Sequence, residues 1–306
     1  MSSAHFQNPA SASSEQIRSV IESGRTPVLQ FAEPPDRSVL ERVDAFCREF
    51  GPSLQIRFYS FGWREFDTSL LDSLPNVANL SIDTIRRISD FSLVAKLPKL
   101  TRLRFGVHEH PDGNFLRQLD LPRFTHLTLA ENRRRNFDLS PLSAATSLEH
   151  LFIQGHQRGI EAISELPHLS EVSLSGFPKR HDLTFLNDLA ALRSLLLILG
   201  SRASIAEFTH AGLRKLSIIW VRLLADLGPL QRFTSLEELT IEDQLQLTRL
   251  DIGGLNLRRL DISNCKRLSE IAGLQIQGRL EHLSISRTAM PGLRRTPAIS
   301  PPSPPG

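Results

Sequence analysis

One apolar triplet constrains this chain more than any other feature: L-x-x-L-x-I, as in "LRRLDI" from Leu257 to Ile262. Aligned on it, the chain yields Val77/Leu80/Ile82, Leu100/Leu103/Phe105, Phe124/Leu127/Leu129, Leu148/Leu151/Ile153 and Leu169/Val172/Leu174. It continues through Leu192/Leu195/Leu197, Leu213/Leu216/Ile218, Leu236/Leu239/Ile241, Leu257/Leu260/Ile262 and Leu280/Leu283/Ile285. Successive copies start 23, 24, 24, 21, 23, 21, 23, 21 and 23 residues apart, a register that chance does not keep. The last two apolar places alternate with an outward residue, the period of a strand with one buried face. So short a strand cannot bury that face alone, but parallel neighbours stacked beside it can. The expectation is an α/β solenoid.

A second periodicity falls on the return path. Asp90, Asp138, Asp182, Asp226 and Glu270 each precede a short apolar stretch, in "SDFSLVAKL", "FDLSPL", "HDLTFL", "ADLGPL" and "SEIAGL", at intervals of 44–48 residues. An acid so placed caps a single helical turn, and repeats of 21–24 residues leave little room for a full helix. On this reading alternate repeats are more alike than neighbours.

L-x-x-L-x-I/L-x-x-N/C resembles the leucine-rich-repeat signature, and a short repeat ending in D-L-x-P-L is similar to the internalin-like subclass. The resemblance implies a horseshoe: one parallel sheet on the concave side, 3₁₀ turns on the convex side, and a small α/β cap at the amino end. It leaves function to the residues facing out of the scaffold. One departure stands out. The ninth place, where the signature carries Asn or Cys, reads Ile85, His108, Asn132, His156, Phe177, Gly200, Val221, Gln244, Cys265 and Thr288. The mostly missing asparagine ladder leaves room for ninth-place side chains aimed outward.

The domain reading follows. Residues 1–13, rich in Ser and Ala, are expected to be disordered. Residues 14–73 are expected to form the cap, with helices in "SSEQIRSVIESG" and at Asp36–Phe50 and strands in "TPVLQF" and near Leu54–Tyr59. Residues 74–288 hold about ten repeats, and 289–306 form a Pro-rich tail without regular structure. A tail of that composition leaves the last strand an open edge, so the chain is expected to be a monomer or a weak edge-to-edge dimer through its tenth repeat.

Charge and cysteine content narrow the function classes. A net charge of +3 is small for 306 residues, and Glu171, Glu238, Glu242 and Asp261 interrupt any basic face, so nucleic acid is not the expected partner. Cys47 and Cys265 are too few and too far apart for a disulfide framework. Cys265 fills a ninth place and Cys47 lies on the apolar face of a helix, so both read as core. No secretory signal and no membrane-length apolar run occurs, which reads as a cytoplasmic protein with no membrane association.

"VHEHPDG" offers His108, His110 and Asp112, but no second histidine pair stands at ligand spacing, so no metal or other cofactor is expected. "RHDLTFLN" spaces Asp and Asn like a kinase catalytic loop, yet Asp182 belongs to the recurring acids and no Gly-rich loop accompanies it. No catalytic residue is assigned.

The informative places are the third, fifth and seventh of each repeat, which face outward. Most are polar, but Phe152, Leu196, Ile198 and Ile219 are not, and apolar residues on a solvated face mark a partner site. Arg102 and Arg104, the run Arg133, Arg134 and Arg135 leaving the third strand, Lys215 of the seventh repeat and Trp220 beside Ile219 complete the candidate surface. The chain reads as a non-catalytic scaffold that binds a protein through its concave face and ascending loops. An effector-like protein secreted by another route, acting on host proteins, and an enzyme with an unrecognised site are the alternatives.

Overall fold

The computed structural model describes residues 2–59, 65–130, 132–133, 136–179 and 181–290. The chain divides into two compact bodies, residues 1–166 and 167–306. Among the described residues of the amino-terminal body, seven strands lie side by side in chain order. They are β1 (Ser3–Phe6), β2 (Thr26–Phe31), β3 (Gln55–Tyr59), β4 (Asn79–Ile85), β5 (Arg102–Val107), β6 (His126–Leu129) and β7 (His150–Gln154). Every pair is parallel. Asn79 stands opposite Arg102, Arg102 opposite His126, and His126 opposite His150, the same offsets that separate the apolar triplets. Equivalent side chains therefore stack: Leu80, Leu103, Leu127 and Leu151 form one buried row, and Ile82, Phe105, Leu129 and Ile153 the next. Ile56 and Phe58 of β3 extend both rows toward the amino end.

Residues 3–6, expected from composition to be disordered, instead form β1. Their partner explains it: β2 would otherwise present an open edge, and a parallel strand satisfies its backbone groups. His5 adds a bond of 2.9 Å from its ring to the Gln30 side chain. Helix α1 (Ser14–Glu22) opens on a capping box, in which Ser13 and Gln16 exchange side-chain and backbone bonds. Helix α2 (Arg37–Phe50) begins after Asp36, which makes no side-chain cap bond, and stops at Gly51, whose φ of 52° ends the helical path. Asp44 of α2 is buried and accepts from the Asn76 backbone N–H at 2.8 Å and its side-chain amide at 2.7 Å, tying the helix to the loop before β4. The return path of the first repeat holds one turn of helix, α3 (Phe91–Ala95).

In the carboxyl-terminal body the main sheet is β8 (Glu171–Ser175), β9 (Ser194–Ile198), β10 (Lys215–Ile219), β11 (Glu238–Glu242), β13 (Arg259–Ser263) and β15 (His282–Ser286), again parallel. The short strands β12 (Arg249–Asp251) and β14 (Glu270–Ala272) pair in a separate two-stranded sheet. Val172, Leu195, Leu216, Leu239 and Leu260 form one buried row, and Leu174, Leu197, Ile218, Ile241 and Ile262 the other. Both rows end on β15, where Leu283 and Ile285 are only half-buried. No helix among the described residues is long and apolar enough to cross a membrane.

The return paths are Asx turns. Asp90 accepts from the Ser92 N–H at 2.8 Å, Asp138 from that of Ser140 at 3.1 Å, Asp182 from that of Thr184 at 3.0 Å and Asp226 from that of Gly228 at 2.8 Å. Hydroxyls two residues on add a second bond to the first three and hold those carboxyls below the ordinary range. Three intervening repeats use the same device, through Asp112, Asp251 and the Ser204 hydroxyl, as does Asp67 ahead of the first repeat, while the turn at Ile160 opens on Gly159 without a side-chain cap. The expected pairing of alternate repeats is therefore a feature of the acids named, not of the turns. Glu270 departs from the series: it lies in β14 and pairs with Arg249 at 3.4 Å.

Most ninth places point inward, correcting the expectation that they aim outward: Ile85, Asn132, His156, Phe177, Val221, Gln244 and Cys265 are buried. Asn132 donates to the carbonyls of Val107 and His110, each at 3.0 Å. His156 replaces asparagine with its ring, Nε2 to the Ala130 carbonyl at 2.8 Å and Nδ1 to the Phe137 N–H at 3.2 Å. Gln244 reaches the carbonyl of Glu242 at 2.6 Å. Cys265 is fully buried, and burial pushes its thiol pKa up; Cys47 is driven to about 12 by the same cause, reinforced by Asp44. Different polar groups do one job, satisfying turn carbonyls that face away from water.

Candidate protein-binding surface

The outward face of the amino-terminal body is a polar network. Arg57 makes a forked pair with Asp83, with distances of 2.8–3.1 Å, and stacks over the Tyr59 ring at 4.5 Å. Arg104 reaches the same carboxylate at 3.1 Å, and the Ser81 hydroxyl donates to it at 3.0 Å. Asp83 is buried, so two guanidiniums and a hydroxyl compensate its desolvation. Arg104 is consequently tied to its own sheet. Arg102 is half-buried, with Nη1 donating to the Pro52 carbonyl at 3.5 Å. Phe152 lies opposite Thr128 and is half-buried. Arg133 is exposed, while Arg134 and Arg135 fall outside the described residues. His126 and His150, one strand apart, stack ring on ring with centroids 4.0 Å apart.

The histidine pair of "VHEHPDG" does not form a site. His110 is 4% exposed, set among Phe91, Phe105, Phe115 and Phe137, with neither ring nitrogen hydrogen-bonded. Burial drives its pKa from 6.5 to about 4, against the pull of Asp112. It is a core ring. The lookalike Asp182 is occupied in its turn with Thr184, and Arg180 falls outside the described residues.

The carboxyl-terminal body brings the apolar candidates together. Ile198 of β9 stands opposite Ile219 of β10, and Leu196 opposite Ser217, all half-buried except the buried serine. Lys215 is paired with Glu238 at 3.3 Å. Toward the last strands the face turns polar: Arg259 and His282 both reach Asp261, at 2.5 and 2.9 Å. Along these strands runs a shallow polar depression of about 460 Å³, lined among others by Glu238, Thr240, Glu242 and Asp261.

The eighth place of each repeat sets the rim. Gly176, Leu199, Trp220, Asp243, Asn264 and Arg287 all have positive φ, between 48° and 68°. In the first five, the backbone N–H donates to the last strand residue of the next repeat, at 2.9–3.1 Å. The left-handed step turns the chain off the strand, sending the ninth residue inward. Glycine, asparagine and aspartate adopt it at low cost, but for a bulky side chain it costs roughly 1–2 kcal/mol. Leu199 and Trp220 occupy it nonetheless and are 39% and 54% exposed. Leu223, itself at φ 70°, and Leu245 join them at 55% and 50%. Trp220, Leu223 and Leu245 line a cavity of about 220 Å³ with Val221, Arg222, Asp243 and Gln246. Of this group the sequence reading singled out Trp220 alone. Leu199 shares the eighth place with Trp220 and a column comparison would have shown it; Leu223 and Leu245 carry no such signal.

No family profile matches the chain, and no curated protein does. Among solved structures it is similar to an internalin of Listeria monocytogenes, InlF, at 18% identity and TM-score 0.47, covering 92% of this chain and 90% of that one. It is similar to a chain of the Toll–Spätzle complex of Drosophila at 16% identity and TM-score 0.50, covering 95% of this chain but only 43% of the other. A leucine-rich-repeat protein of Leptospira interrogans gives 10% identity and TM-score 0.31, over 86% and 95% of the two chains. Parallel strands at triplet register, inward ninth places and short return turns belong to one architecture: this chain has the leucine-rich-repeat fold.

Proposed function

We propose that the protein is a non-catalytic scaffold that binds a protein partner, and that the apolar rim of the carboxyl-terminal body carries the contact. The observation behind this is Trp220: a large aromatic held in a strained backbone position and turned to solvent, beside Leu223 and Leu245. Backbone strain at an exposed aromatic is retained where the side chain serves a surface, and tryptophan is the residue most enriched at interface hot spots. Leu196, Ile198 and Ile219 extend the apolar area onto the sheet face, and the charged groups around Asp261 supply a polar margin. Arg102, Arg104, Arg133 and Phe152 are a secondary surface, because Arg104 is engaged with Asp83.

A photo-crosslinking residue placed at Leu223 tests the reading, with the same residue at exposed Arg25 as the control. A defined protein band formed from Leu223, absent from Arg25 and lost on Trp220→Ser, is the expected result. Equal labelling from both positions, or a band indifferent to Trp220, overturns it.

A further inference from the structure

We infer that His126, His150 and Glu149 form a binding site for a divalent transition-metal ion on the face of the amino-terminal body. The donor atoms of these three side chains lie within 4.8 Å of one another. The fold makes the juxtaposition. His126 and His150 are 24 positions apart in sequence but directly opposite on β6 and β7, so the strand spacing brings the imidazoles into a stack 4.0 Å apart. Glu149 precedes β7, where its backbone N–H and that of His150 both bond the Thr125 carbonyl, at 2.9 and 3.0 Å. That shared acceptor fixes the base from which the carboxylate and the second ring project.

The hydrogen bonds orient one ligand for coordination. His126 Nδ1 lies 2.9 Å from the Thr125 hydroxyl oxygen, and that hydroxyl points its own hydrogen toward the Thr101 carbonyl at 3.5 Å. That contact fixes the angle of the His126 ring at the start of β6, beside the ring of His150. A polar group that holds the far nitrogen is the usual support of a ligating imidazole. The two rings are half-buried and the carboxylate is exposed, so an ion has a path from solvent.

Two nitrogens and one carboxylate oxygen are the donor set of zinc and its neighbours in the first transition row, not of magnesium or calcium, which take oxygen alone. Metal bonds of about 2.0–2.2 Å let two ligand atoms stand at most some 4 Å apart, so side-chain rotation closes the site without moving the strands. Arg102 stands opposite His126 on β5 and opposes a second cation; the Glu149 charge offsets it.

The test is calorimetric titration of the untagged full-length protein with zinc chloride, and separately with magnesium chloride. One zinc ion per chain and no magnesium is expected, and cobalt(II) in place of zinc gives visible bands of a nitrogen- and oxygen-ligated ion. Loss of a ligand should cost more than loss of a supporting group, so His126→Ala and His150→Ala should each weaken zinc by more than about tenfold. His150→Gln keeps the polar surface if the alanine variant misfolds, and should weaken zinc equally. Exposed His168→Ala should change nothing. Absence of zinc binding, or binding that survives His126→Ala or His150→Gln unchanged in a folded protein, overturns the site.

Discussion

The two bodies run the same inward programme and opposite outward ones. Both stack leucine rows at triplet register, and both turn their strands off through left-handed or inward-bonded residues. Among the described residues of the amino-terminal body the left-handed eighth places are Thr84 and Gly155, and the outward charges of Arg57 and Arg104 are drawn into a network with Asp83. In the carboxyl-terminal body two of those places are Leu199 and Trp220, and the adjoining face is apolar. Inward residues answer to packing in every repeat, while outward residues answer to local demands: a charge network around Asp83 here, an exposed apolar rim there.

The comparison breaks most visibly at the core. Phe115 is fully buried, with ring centroids of Phe91, Phe105 and Phe137 4.7–4.8 Å away. Phe115→Ala should cost about 3–5 kcal/mol in denaturant unfolding. A loss under 1 kcal/mol, which exposed positions show, would mean that the aromatic cluster is not the packing centre of this body.

His110 sharpens it with pH, because nothing like it occurs in the rim. Its native pKa of about 4 lies below the ordinary 6.5, so the unfolded chain binds the proton more readily. Stability is therefore full above about pH 6.5 and falls as pH drops toward 4, by up to roughly 3 kcal/mol from this group. Unfolding curves measured across that range should show the fall, and His110→Phe should flatten it. A slope unchanged by the substitution would assign the titration elsewhere.

The smallest expected effect is on the rim. Trp220→Gly relieves a left-handed tryptophan, worth roughly 1–2 kcal/mol, but adds freedom to the unfolded chain, worth about 0.4–1 kcal/mol. The melting temperature should stay level or rise slightly while partner capture through Leu223 is lost. A clear drop in melting temperature would place Trp220 in the packing of the repeats and equate the two bodies.

Much of the fold was legible because the solenoid is nearly one-dimensional. Each triplet contacts its neighbours at a constant offset, so periodicity in the chain becomes register in the sheet, as Leu216 opposite Leu239 shows. Asp90 and Asp182 could be read as turn acids for the same reason, since an Asx turn is made within three residues. Phe152, Leu196 and Ile219 were placed outward by alternation, and the structure leaves them half-buried.

The sequence by its repeats placed the ten strands, the inward rows and most of the turn acids, because these depend on local geometry and one neighbour. The tertiary structure decided what depends on meetings between distant residues. Composition read residues 3–6 as unstructured until the edge of β2 offered a partner. His110 stands two residues from His108, yet it went into a phenylalanine cluster that only packed repeats create. His126 and His150, 24 positions apart, became neighbours because parallel strands place equal repeat positions about 4.8 Å from one another. The outward face carries no packing period, so its chemistry emerges only when the repeats are stacked.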